Sequence, residues 1–173
     1  GRFISYKKEK DTHLHPHCYS AEGLLFAGIH LENEVYIKSA VNAIKWALEK
    51  QMENKGIPSM YVGEQSVNIE RSDIIAQVLR LGIVMRSMNL IGEQYDAILD
   101  SIAKRLLEFQ YKHQDISVDG GFSYGHDVDY RNDLKEERKD HANSWCTMFA
   151  LQALTYYKEY KEGSFVFDKN KLV

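Results

Sequence analysis

The stretch from Asp73 to Met88, DIIAQVLRLGIVMRSM, decides the fold because it is apolar on almost every side of a helix. A helix of this kind is buried by neighbours all round. Ser72 and Asp73 at its start suit the free N–H groups of a first turn. The next segment, Glu93 to Tyr111, has a single apolar stripe that includes Ile98 and Ile102. It predicts an outer helix with one side toward solvent.

The same order of a buried helix and an amphipathic helix occurs upstream. Tyr19 to Leu31 (YSAEGLLFAGIHL) is apolar on nearly every face, whereas Glu34 to Met52 has one apolar stripe, and a fifth helix is predicted over Asn143 to Tyr160. Short links join each inner helix to its outer partner, and long loops return to the next inner helix. The pattern predicts an all-α fold of repeated helical hairpins in one domain, residues 1–173, with the long loops on one rim.

Composition excludes some classes of protein. The chain of 173 residues has a net charge of −3, so no global field favours nucleic acid or an anionic membrane, and no apolar run reaches the roughly 20 residues of a membrane span. Two cysteines, Cys18 and Cys146, are too few for a disulfide framework and favour a reducing cytoplasm. The start, Gly1 to Ser5, has no initiator Met and predicts a cut inside a longer protein.

A loop after the fourth helix carries the most specific motif. Gln110 is followed by Asp119-Gly120-Gly121-Phe122. This resembles the Q-x-x-x-D-G-G-[FW] loop of terpenoid cyclase-like repeats, in which the loop ties an outer helix to its neighbour. Together with the helix order, it resembles the α/α-toroid proteins, which include six-hairpin glycosidases and epimerases, terpenoid cyclases and protein prenyltransferases. The resemblance implies that residues 1–173 are the C-terminal part of a larger toroid, completed by an upstream domain or a second copy.

Histidines precede the first buried helix. His13, His15, His17 and Cys18 lie within six residues and would suit zinc. However, Pro16 disfavours helix at His15, and no familiar zinc spacing is present. The other interpretation is a pocket rim at which His17 acts as an acid or base. We adopt the rim and predict no metal and no cofactor.

Charged residues on the inner helices are further candidates. Glu22 lies on an apolar helix, so it either faces a cavity as a general acid or pairs with Arg71 or Arg80. Asp73 is either a catalytic carboxylate or a first-turn residue favoured by the helix dipole. Arg71 would either hold a substrate carboxylate or form a structural ion pair.

The long loop after Asp119 mixes aromatic rings with acids. Phe122, Tyr124 and Tyr61 (from the earlier loop) would stack on a sugar, with His126 and Asp127 as polar contacts. His141 precedes the fifth helix as His17 precedes the first. The two histidines are therefore predicted to converge on one cavity. Cys146 is expected to be an inert core thiol.

These residues favour a carbohydrate-active or polysaccharide-biosynthesis protein acting on a sugar or uronic acid, and the enzyme class would be a glycoside hydrolase, lyase or epimerase. The predicted catalytic residues are His17, Glu22, Asp73 and His141, and the predicted substrate-binding residues are Arg71, Tyr61, Phe122, Tyr124, His126 and Asp127. Two alternatives stay open. One is terpenoid cyclase or prenyltransferase chemistry, and the other is a non-catalytic helical scaffold that binds protein. The expected partner is a small molecule or an oligosaccharide.

Overall fold

The computed structural model describes residues 1–6, 10–125 and 142–169. The described part contains five α-helices, a short 3-10 turn at Glu93–Tyr95 and one antiparallel sheet. In chain order the elements are β1 Thr12–His13, α1 Leu14–His30, α2 Glu34–Leu48, β2 Pro58–Val62, β3 Gln65–Glu70, α3 Ser72–Ser87, α4 Asp96–Leu107 and α5 Ser144–Lys161.

The centre of the molecule is α3. Every residue from Ser72 to Met85 is buried, and α1, α2, α4 and α5 all pack against this helix. By contrast, α2 and α4 each bury one side only, which for α4 comprises Leu99, Ile102, Ala103 and Leu106. The division into an inner helix and outer helices follows from the number of apolar faces that each sequence carries.

The predicted all-α class, with a toroid built from helical hairpins, is wrong. The described residues form a mixed α/β fold, because β1, β2 and β3 make a three-stranded antiparallel sheet in that order. Thr12 pairs with Tyr61, and Val62 pairs with Gln65 across the two-residue turn Gly63-Glu64. Gly63 has a φ of +57°, which glycine adopts without strain. The segment predicted to be a long loop between the second and third helices is therefore a β-hairpin. Its two-residue turn contains Gly, as such turns usually do.

The start of α1 also differs from the sequence prediction. The apolar run predicts helix from Tyr19, and Pro16 disfavours helix at the preceding His15, yet α1 begins at Leu14. Pro16 occupies the third position of the helix. There the missing N–H would have no partner within the helix in any case, so the proline is tolerated. As a consequence, His15 and His17 both lie on a helix.

The glycine loop joins α4 to α5. Gln110 Nε2 donates to Gly120 O (3.1 Å), and Phe122 N–H donates to the Thr147 hydroxyl (2.9 Å). Asn143 accepts from Cys146 N–H and so caps α5. The loop thus has a structural function and places the first turn of α5 beside α3.

After α5 the chain turns back over the helices. Gly163, at a φ of +69°, ends α5, and Ser164 N–H donates to Glu159 O (2.8 Å). Phe165 then lies on Tyr156, and Phe167 lies on Phe26 of α1. None of the described helices has the length and apolar character required to cross a bilayer.

Candidate functional site

The candidate site lies where the first turns of α1, α3 and α5 meet. It is built around His15 of α1, which contacts the buried carboxylate of Asp73 on α3: His15 Nδ1 and Asp73 Oδ2 are 2.8 Å apart. The Gln77 amide, one turn further along α3, faces the same nitrogen at 3.0 Å. We call His15, Asp73, Gln77 and Arg71 the His15 cluster.

Arg71 holds the other side of the Asp73 carboxylate. Its Nε and Nη2 donate to Oδ1 and Oδ2 at 3.1 and 2.7 Å. The guanidinium lies 4.6 Å from the centre of the Tyr124 ring. Tyr124 is fixed in turn because its carbonyl accepts from Ser72 N–H (3.0 Å). The loop after α4 and the end of the β2–β3 hairpin therefore meet at this point.

Asp73 is ionised in this environment. Burial alone would raise its pKa, but the hydrogen bond from His15, followed by the charge and hydrogen bonds of Arg71, outweighs burial, so the pKa is lowered. The position of Asp73 in the first turn of α3 also favours a carboxylate. An ionised, fully buried acid next to an imidazole fixes that ring in one orientation.

The proton position on His15 follows from its partners. The Asp73 carboxylate is the stronger acceptor, so the neutral ring carries its proton on Nδ1. The Gln77 oxygen has no hydrogen-bond partner among the described residues. Turning that amide over would direct the oxygen toward the same proton. Nε2 is the ring nitrogen of His15 that does not face Asp73.

Aromatic rings surround the exposed edge of the His15 cluster. Tyr19 stands edge-on to His15 with ring centres 4.8 Å apart, and Trp145 of α5 lies 6.4 Å away. Tyr19 is 37% exposed and Trp145 is 49% exposed, so both rings are open to a ligand. The side chain of His15 is itself 22% exposed.

The structure places two of the predicted catalytic residues apart from this cluster. His17 is buried on the other side of α1: its Nδ1 accepts from Phe3 N–H (3.3 Å) and its Nε2 donates to Ala43 O (3.0 Å). Glu22 accepts both of its hydrogen bonds from Arg80, at 2.8 and 2.6 Å. Of the two interpretations of Glu22, the ion pair with Arg80 is the one observed.

The predicted binding residues are also divided between places. Arg71 and Tyr124 are in or next to the His15 cluster, but Tyr61 is buried against Trp46 of α2, with ring centres 5.2 Å apart. Phe122 is fully buried in the core, so no sugar can stack on it. The predicted residues His126, Asp127 and His141 lie outside the described residues.

Sequence reasoning missed three residues, His15 as an acid–base candidate, Gln77 as its neighbour and Trp145 as a platform. The spacing of polar residues on α3 could have revealed the site. Asp73, Gln77 and Arg80 are four and three residues apart, so they lie on one face of the helix, and polar residues on a buried helix need polar partners.

Across the described ranges, no group of three or more His, Cys, Asp or Glu side chains is placed to hold a metal ion.

Comparison with known proteins gives no relative. No protein-family model matches the chain, and neither the curated proteins nor the solved structures contain a match. The site is therefore interpreted from its own geometry.

Proposed function

We propose that this chain binds a sugar or uronic acid at the His15 cluster and transfers a proton to or from it, as a lyase or epimerase does. The observation that carries the proposal is the 2.8 Å contact between His15 Nδ1 and the ionised Asp73, at the edge of an exposed aromatic surface. A carboxylate on one ring nitrogen orients the imidazole and stabilises its protonated form, so that Nε2 can act as the base and then as the acid.

Proton transfer by histidine fits the described residues better than hydrolysis by two carboxylates. Glycoside hydrolysis uses a carboxyl pair about 5–10 Å apart, one of which must hold a proton. Asp73 is kept ionised by Arg71 and His15, and Glu22 is held by Arg80. Tyr19 and Trp145 supply the faces on which a pyranose ring would stack.

The two cysteines are free and buried, in keeping with the cytoplasm as the proposed compartment.

Fluorescence of Trp145 tests binding. The chain has two tryptophans, so the Trp46→Phe variant leaves Trp145 as the reporter at the site. Titration with neutral oligosaccharides and with oligouronates should give a saturable change in emission. Isothermal titration, which needs no tryptophan reporter, should show that Trp145→Ala weakens binding at least about tenfold, as loss of an aromatic contact does. Absence of a response to every saccharide in both sets would overturn the proposal.

Turnover tests the role of His15. With any saccharide that binds, His15→Asn and Asp73→Asn should each reduce turnover by about 10²–10⁴-fold, the usual effect of losing a positioned acid or base. The matched control is His13→Asn, because His13 lies two residues away and contacts Tyr6 instead. Equal losses in the His13 and His15 variants would show that His15 has no special part in the reaction.

A further inference from the structure

A cavity lies at the other end of the α1, α3 and α5 surface. It has a volume of about 170 Å³ and is closed on one side by the chain that follows α5. Arg80 lies seven residues after Asp73 on α3, so the cavity is about 10 Å along the helix from the His15 cluster. The cavity is thus separate from the His15 cluster, and a ligand bound in it would not depend on sugar binding there.

Four aromatic rings line the cavity, those of Phe26, Tyr156, Phe165 and Phe167. Phe167 packs on Phe26 with ring centres 5.6 Å apart and planes at 51°, and Phe165 packs on Tyr156 at 4.8 Å and 52°. The face of an aromatic ring carries partial negative charge, which attracts a cation.

The charged groups of the wall add to this preference. The carboxylates of Glu22, Glu159 and Asp168 and the guanidinium of Arg80 line the cavity. Arg80 and Glu22 neutralise each other in a buried pair. Glu159, at the end of α5, remains as a carboxylate close to the aromatic walls.

One polar atom of the wall also requires a partner. Arg80 is 3% exposed, and its Nε–H has no hydrogen-bond partner among the described residues. Buried donors in native proteins are almost always paired, either with protein or with a bound molecule. A ligand oxygen in the cavity would accept from this N–H.

From these features we infer that the cavity is a binding site for a small substituted ammonium ion that also carries an oxygen. The alkylated nitrogen would lie against Phe26 and Phe167 with Glu159 nearby, and the oxygen would accept from Arg80. Rings and a carboxylate around an apolar cation are the usual way in which proteins bind a quaternary ammonium group.

The test compares choline with neohexanol, its neutral isostere, in which carbon replaces the charged nitrogen. Both have the same shape and the same hydroxyl group, so their difference reports charge alone. Isothermal titration of the whole chain should show choline binding about tenfold or more tightly than neohexanol. Tetramethylammonium, which lacks the hydroxyl, should bind more weakly than choline. Equal binding of choline and neohexanol, or no binding of choline at millimolar concentration, would overturn the inference.

Variants of the cavity wall test whether choline binds in this cavity. Phe167→Leu keeps apolar volume but removes a ring, so it should weaken choline binding about fivefold and leave neohexanol binding unchanged. Glu159→Gln should likewise weaken choline selectively. The matched control is Glu162→Gln, at the same end of α5 but paired with Lys158 and outside the cavity wall. Choline binding unaffected by both Phe167→Leu and Glu159→Gln would place it elsewhere and refute the site.

Discussion

His15 and His17 are two histidines of the same helix, and their different neighbours give them different hydrogen bonds. They are two positions apart on α1 and so point about 200° apart around the helix. His15 meets the carboxylate of Asp73, whereas His17 is enclosed between Phe3 and Ala43. The donor Phe3 N–H requires an unprotonated Nδ1 on His17, and the acceptor Ala43 O requires a proton on Nε2. His17 is therefore neutral, with one tautomer fixed by the backbone.

Acid should destabilise the protein through His17. Burial lowers its pKa against the opposing hydrogen bond to Ala43, whereas the unfolded chain has the ordinary value near 6.5. Because the folded form resists protonation, the contribution of His17 to stability is complete above about pH 6.5 and is lost as the pH falls toward the folded pKa.

The His17→Gln variant keeps an N–H donor but does not titrate. Urea unfolding at pH 7 and pH 5 should show that the wild type loses roughly 1–2 kcal/mol more than this variant between the two values, at 1.36 kcal/mol for each unit of suppressed protonation. Identical pH dependence in the two proteins would mean that His17 accepts a proton in the folded state.

At the scale of elements, α1, α3 and α5 share one way of ending. The second residue after each of α1, α3 and α5 has a left-handed backbone: Glu32 at a φ of +52°, Asn89 at +57° and Gly163 at +69°. In each case the next N–H returns to a carbonyl five residues earlier, at 2.8 Å. This ending turns the chain sharply. It sets the short α1–α2 link and directs the segment after α5 over the cavity that Arg80 lines.

Glu32 is the least suited of the three residues to that backbone. An L-residue other than Asn or Asp costs about 1–2 kcal/mol in the left-handed region. Replacing it with glycine removes this cost, but glycine also makes the unfolded chain more flexible, which cancels part of the gain in stability. Glu32→Gly should therefore raise the free energy of unfolding by about 0.5–1 kcal/mol. Asn89→Gly is the comparison and should gain less, because Asn tolerates the conformation. Denaturant unfolding of both variants measures the difference, and a loss of stability in Glu32→Gly would contradict the argument.

For the whole molecule, α3 is the element that every other helix uses as its support. The ion pair between Glu22 and Arg80 joins α1 to α3 within the core, with side chains only 8% and 4% exposed. Charges in such a place are stable only as a pair, because each would otherwise lack both water and a partner.

Removing one member of this pair should lower the free energy of unfolding far more than removing both. Glu22→Leu leaves Arg80 buried without a counter-charge and should cost about 3–5 kcal/mol of unfolding free energy, whereas Glu22→Leu combined with Arg80→Met should recover most of it. Urea unfolding measures the three proteins. Lys158→Ala, which breaks an exposed pair with Glu162, should leave stability unchanged. A double variant no more stable than Glu22→Leu alone would show that the two charges do not depend on each other.

The sequence by itself determined the five helices and the burial of α3 on every side, because the spacing of apolar residues along a helix is a local property. It did not determine the burial of α1, which was predicted on nearly every face but leaves Tyr19 and Ser20 exposed. It also contained the hairpin at Gly63-Glu64, whose alternating residues and two-residue turn are local as well, although that pattern was interpreted as a loop. The sequence did not determine which residues form the site. Which histidine of α1 meets Asp73 depends on where α1 begins and how it packs against α3, and residues 58 positions apart in the chain must come together. Only the tertiary structure brought His15, Asp73 and Trp145 to one surface, since the contacts between helices are set by the packing of the whole core and not by any local pattern.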